Sequence, residues 1–145
     1  MDYYATEEQK NLMDYVGKTL VGNMDELYEA WLEILQSDKE LKAKNKIKAR
    51  EWYQRLSEED RKMLLAIIKR IAFSMVYYLL VDSQDSQAEV IPDALYFAAR
   101  KDNIVYPNIA TESDGLCGDM VADDEGWYES FSKYFELKDR DWYGS

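Results

Sequence analysis

Three groups of side chains in this sequence could do chemistry. Seven bases crowd residues 39–55: Lys39, Lys42, Lys44, Lys46, Lys48, Arg50 and Arg55. On a helix, Lys39, Lys42, Lys46 and Arg50 fall along one side at three- and four-residue steps, as in a phosphate-binding surface. Six acids crowd residues 112–125: Glu112, Asp114, Asp119, Asp123, Asp124 and Glu125. Clustered carboxylates hold Ca²⁺ or Mg²⁺, or work in pairs as acid and base. The third group is a single thiol, Cys117, between Gly115 and Gly118. It would be a nucleophile if a base or a positive charge lay beside it.

Each group meets an objection in the same sequence. The chain carries 29 acids against 18 bases, a net charge of −11. That charge repels a polyanion at longer range, so the basic block reads as a solvated helix face that answers the acidic ends, and nucleic acid is not the expected partner. The acidic run lacks EF-hand spacing, because Asp114 is followed by Gly115-Leu116-Cys117-Gly118 and not by ligands at alternate positions. Asp123-Asp124-Glu125 before Gly126 reads equally as a turn or as a cap for the next helix, so no metal or cofactor is assigned. There is no histidine, which excludes Ser-His-Asp and Cys-His catalysis and His-ligated zinc. Asp114 and Asp119 would raise the thiol pKa of Cys117, not lower it. One cysteine forms no intramolecular disulfide. The chain is expected not to be an enzyme.

The elements that must position these groups follow from periodicity and capping. At 145 residues the chain is expected to be a single domain over 1–145, with a helical part (1–82) and a smaller mixed part (83–145) that does not stand alone. Thr6 with Gln9 has capping-box spacing and starts a helix. Gly22-Asn23 is expected to break it, with Asn23 capping a second helix through Leu27, Tyr28, Trp31, Leu32 and Leu35. Ser37 or Asp38 is expected to cap a third. Ser57 followed by Glu58, Glu59 and Asp60 is a strong helix start, since the hydroxyl accepts an orphan amide and the acids meet the positive end of the dipole.

That helix should run to about Val81, and its second half (Ile71 to Leu80) is apolar on every side. Such a helix is expected to be enclosed by protein. A membrane segment is the competing reading, disfavoured because Lys69 and Arg70 interrupt the apolar run and Ile71 to Val81 is too short to span a bilayer. Lys101-Asp102-Asn103 looks like a turn before the β-prone Ile104-Val105-Tyr106, giving a small hairpin over 94–106, with a short helix as the alternative. Residues 111–126 read as loop. Trp127, Tyr128, Phe131, Tyr134 and Phe135 then suggest a short aromatic helix docked on the body. The expected fold is α+β and mostly α, with helices packed around a long buried central helix at about 57–81.

The segment Ser113-Asp114-Gly115-Leu116-Cys117-Gly118-Asp119, with Asp124-Glu125-Gly126-Trp127-Tyr128 and Phe131-Ser132-Lys133-Tyr134, resembles the C-terminal signature of a loosely defined group of small uncharacterised bacterial proteins. In that group a Gly-Leu-His-Gly-Glu run precedes an acidic-Gly-Trp segment and a Phe-Ser-Lys-Tyr end. Cys117 stands here at the usual histidine and Asp119 at the usual acid, so any function of that histidine would be lost. The resemblance covers about 22 of 145 residues. It implies a small bacterial or phage-associated protein with short β elements before the signature, and it brings no activity.

Twelve tyrosines and four tryptophans add stiff contact area with polar tips, the composition of interfaces. Trp31, Tyr77, Tyr78, Trp127 and Phe131 are expected in the core. Acids and aromatics interleave near the termini and in the acidic loop. The expected partner-binding residues are therefore Asp2, Tyr3, Tyr4, Asp119, Asp123, Asp124, Glu125, Tyr128, Asp141, Trp142 and Tyr143. They describe a non-enzymatic acidic protein that neutralises a basic partner, most concretely an immunity- or antitoxin-like inhibitor of a bacterial toxin. A phage-type DNA mimic is the alternative, but it would show evenly spaced acids with little aromatic interleaving. Homo-oligomerisation through the aromatic termini is the other. Met1-Asp2-Tyr3-Tyr4 lacks the start of a secretory signal, and with a single cysteine this fits a cytoplasmic protein.

Overall fold

A computed structural model describes residues 6–86, 93–121 and 126–135. The chain runs as helix α1 (Glu7–Gln36), α2 (Lys44–Arg55) and α3 (Glu58–Asp85), then strands β1 (Ala99–Lys101) and β2 (Ile104–Tyr106). A 3₁₀ turn (Ile109–Glu112) and two short helices, α4 (Leu116–Val121) and α5 (Trp127–Phe131), complete the described elements. The protein is thus mostly helical with a small antiparallel sheet.

The expected caps form. Thr6 Oγ1 accepts from the Gln9 amide at 3.1 Å, and Ser57 Oγ accepts from the Asp60 amide at 3.1 Å, each satisfying one orphan donor. The expected break at Gly22-Asn23 does not occur, because α1 continues through both. Gly22 costs only about 1 kcal/mol in a helix interior, and the buried face on either side, Val16, Val21, Met24 and Tyr28, holds the helix in one piece.

Ser37 and Asp38 do not cap α2 either, which begins at Lys44 without a side-chain cap. Arg50 explains the connection. Its guanidinium donates to Ile34 O at 2.7 Å, Lys39 O at 2.6 Å and Glu33 O at 3.2 Å. Ile34 O is a carbonyl left open at the end of α1, and Glu33 O there already accepts from the Ser37 amide, so the planar donor fork locks α2 across that end.

The hairpin forms with register Ala99↔Tyr106, Arg100↔Val105 and Lys101↔Ile104. Its two turn residues, Asp102 (φ 51°) and Asn103 (φ 65°), both take the left-handed conformation that a two-residue hairpin loop requires. The expected loop over 111–126 contains α4, which Leu116 and Met120 fasten to the core as a fully buried i,i+4 pair.

The core gathers α1, one side of α3 and the C-terminal segment. Gly17 is what lets α1 accept α5: a Cβ there would lie 2.4 Å from Trp127 Cγ. Tyr128 packs edge-on against Phe73 at 5.0 Å and against Phe135 at 5.4 Å, and Tyr28 meets Tyr134 at 5.1 Å. Asp25, buried in α1, accepts from Ser132 Oγ at 2.6 Å and from the Lys133 amide at 2.7 Å, holding the turn after α5.

The enclosure expected of the central helix is not met. The buried residues of α3 are Ala72, Phe73, Leu80 and Ser83. Its most apolar 18-residue window has a mean hydropathy of 1.9, long and apolar enough by composition to cross a membrane, yet only 17% of that window is buried. The other helices cover one side of α3 and leave the opposite side open. Tyr78, expected in the core, lies on that open side at 62% exposed, and Trp31 is also exposed. Tyr77 and Phe131 are half-buried against the core, and Trp127 is buried as expected.

Candidate functional site

The open side of α3 is built by an i,i+4 row. Met63, Ile67, Ile71 and Met75 (64% exposed) stand in line, Tyr78 and Leu79 continue it, and all six are exposed. At 100° per residue Met63, Ile67, Ile71, Met75 and Tyr78 fall within about a third of the helix circumference. Asp60 lies in the same arc one turn before Met63, and Asp82 and Asp85 lie in it after Tyr78. α3 contributes no base to this arc. Lys69 points the other way, its ammonium 5.3 Å from the centroid of the Tyr28 ring on α1. Arg70 Nη1 is buried, and Arg61 donates to Tyr53 O at 3.0 Å and Gln54 O at 2.5 Å. The helix therefore turns its central charge inward and its apolar row outward, with acids at both ends of the row.

At the edge of this face a cavity of about 390 Å³ opens between α1, α3 and residues 97–100. Tyr15, Leu20, Val76, Leu79, Phe97 and Ile109 line it, and Leu79 belongs to both the cavity and the face. Its described lining contains no carboxylate or thiol; Thr19 and Arg100 add a hydroxyl and a guanidinium to walls that are otherwise mainly apolar. Leu95, Tyr96, Ile104 and Val105 of the hairpin region add further exposed apolar side chains.

Of the residues expected to bind a partner, Asp2, Tyr3, Tyr4, Asp123, Asp124, Glu125, Asp141, Trp142 and Tyr143 lie outside the described residues. Tyr128 is 1% exposed and sits among Phe73 and Phe135, so it is a core residue and not a contact residue. Asp119 is half-buried and accepts from Ser113 Oγ, which in turn accepts from the Gly115 amide at 3.0 Å. Glu112 accepts from Gln9 Nε2 at 3.3 Å. Both acids are thus engaged with their own chain. Among the described residues no group of three or more metal-ligating side chains converges.

Cys117 is held in place by its amide, which donates to Gln84 Oε1 at 3.1 Å. Burial, and then the nearby Asp85 carboxylate, push its thiol pKa up, which keeps it protonated and a poor nucleophile. Lys39 pairs with Glu33 at 2.6 Å, which raises the lysine and lowers the carboxyl through the shared hydrogen bond. Two members of the basic block, Lys39 and Arg50, are thereby spent on the α1–α2 junction.

Hydrophobicity around α3 is nearly uniform, which hides the apolar row in the sequence. One signal marks it: Lys69 and Arg70 lie outside the arc that holds Met63, Ile67, Ile71, Met75 and Tyr78, while Asp60, Asp82 and Asp85 lie within it. No family model, curated protein or solved structure matches the chain.

Proposed function

We propose that this chain is a non-enzymatic acidic binding protein that neutralises a basic protein partner, most concretely an immunity- or antitoxin-like inhibitor of a basic toxin in the bacterial cytoplasm. The observation that carries this reading is the outward face of α3, an exposed apolar row with acids at both ends. An exposed apolar patch rimmed by polar groups marks an interaction site. A net charge of −11 speeds encounter with a basic protein, and the apolar row slows its release.

The test starts with capture from a native lysate at low salt, salt elution and mass spectrometry. The complex is then rebuilt from the two purified proteins. The reading expects a basic protein, a defined stoichiometry and an association rate that falls steeply as salt rises. A recovered partner that is neutral or acidic, or an association rate indifferent to salt, overturns it.

A further inference from the structure

We infer that the outward face of α3 docks an amphipathic helix of the partner, one whose apolar stripe is flanked at both ends by lysine or arginine. This rests on the basic-partner reading above and names the surface and the shape of what fills it.

Shape comes first. Met63, Ile67, Ile71, Met75 and Tyr78 run over 15 residue steps of helix, about 22 Å. The i,i+4 ridge is inclined to the helix axis, drifting about 40° per step, and such ridges pack into the grooves of a second helix that crosses at an angle, with Tyr78 returning the face to the middle of the arc. Scaling the fractional exposures of Met63, Ile67, Ile71, Met75, Tyr78 and Leu79 by whole-residue areas gives an apolar surface of roughly 600 Å². That is at the upper end for a monomer's largest patch and close to the ~800 Å² each side contributes to a stable complex.

Charge then selects the occupant. Asp60 and Asp82 stand 22 residues apart, about 33 Å along the axis, so bases beyond each end of a six-turn apolar stripe would meet them. A second copy of this chain fits poorly. Antiparallel α3 helices would set Asp60 against Asp82 and Asp85, parallel ones would set each acid against itself, and both molecules carry −11. A bilayer fits poorly too, because an anionic leaflet repels the terminal acids and a spanning helix would carry Lys69 and Arg70 at its middle.

The test uses the full chain and a synthetic helical peptide of about 24 residues with leucines at i,i+4 steps and lysines at both ends. A counterpart with glutamates at the ends is the control. Fluorescence anisotropy is expected to give micromolar affinity for the lysine peptide and at least about tenfold weaker binding for the glutamate one. Ile71→Ser and, separately, Met75→Ser should each weaken the lysine peptide severalfold with unchanged circular dichroism, since both side chains are exposed. Asp60→Asn with Asp82→Asn should flatten the salt dependence.

Equal binding of the lysine peptide to the parent and to both serine variants overturns the docking site. So does a dimer, seen by sedimentation, that Ile71→Ser dissolves, or co-sedimentation with phosphatidylcholine vesicles that the same change abolishes. If a captured basic partner binds the Ile71→Ser chain as tightly as the parent, the docking site falls and the basic-partner reading stands. If the peptide behaves as expected but the captured partner is acidic, the basic-partner reading falls and the docking chemistry stands.

Discussion

Gly17 and Gly22 lie in one helix, and the same substitution should move stability in opposite directions at the two. In a helix interior Gly→Ala gains about 0.5–1 kcal/mol from the lower entropy of the unfolded chain. At Gly22 a new Cβ meets nothing within 4 Å, so the gain should appear in full. With about 2.1 cal/mol/K of unfolding entropy per residue, a chain of this size shifts by about 3 °C in Tm per kcal/mol, so Gly22→Ala should raise Tm by about 2–3 °C. At Gly17 the new Cβ would sit 2.4–2.6 Å from Cγ, Cδ1 and Cδ2 of the Trp127 indole. Ordinary carbon contacts lie at about 3.5–4.0 Å, so the ring must retreat by about 1 Å. Trp127 is buried and anchors α5. Overpacking of this kind costs about 1–3 kcal/mol, more than the helix gain, and Gly17→Ala should lower Tm by up to about 6 °C. Thermal unfolding followed by circular dichroism measures both shifts. The cause is isolated by repeating Gly17→Ala in a Trp127→Ala background, where the penalty should vanish. A Gly17→Ala chain that is stabilised as much as Gly22→Ala, with Trp127 present, would refute the close approach of α1 and α5.

Three further outcomes follow from the same packing. Asp25→Ala strips the acceptor from Ser132 Oγ and the Lys133 amide, and should cost about 2–3 kcal/mol, read as a lower urea midpoint at unchanged slope; an unchanged midpoint would mean the turn after α5 is held by the rings alone. Tyr106 donates to Glu8 at 2.6 Å, and that bond, then burial, then the Glu8 charge, push its pKa up to about 12. The folded chain should keep this proton after the unfolded chain has lost it near pH 10, so the contribution is complete below about pH 10 and lost between about pH 10 and 12. The difference in ultraviolet titration between parent and Tyr106→Phe should show a phenol releasing near 12, and one releasing near 10 would contradict the bond. Cys117 should react with Ellman's reagent about tenfold or more slowly than an unstructured thiol at about pH 8, and an equal rate would show that burial does not hold the thiol protonated.

Local chemistry makes part of this fold legible in the order of the residues. The caps at Thr6 and Ser57 need only a hydroxyl and an amide three residues on. The Asp102-Asn103 turn needs only two residues that tolerate positive φ. The aromatic end of the chain announces its docking through Trp127, Phe131 and Phe135 at four-residue spacing. Local chemistry also misleads. Gly22-Asn23 looks like a break and Ser37-Asp38 like a cap, but contiguous burial along α1 and the reach of Arg50 from α2 override them. Tyr128 looks like a surface residue because acids surround it in sequence, whereas Phe73 and Phe135 surround it in space.

The amino-acid order alone determined that the chain is acidic, mostly helical and without histidine chemistry, and that Ser57 begins a long apolar helix. It could not say which side of that helix would be covered, because apolar periodicity records what gains from burial and not how many neighbours the rest of the chain supplies. Tertiary packing decided that. α1 and the C-terminal segment cover the side bearing Phe73 and Leu80, Lys69 folds onto Tyr28, and Met63, Ile67, Ile71, Met75 and Tyr78 are left facing outward between acids.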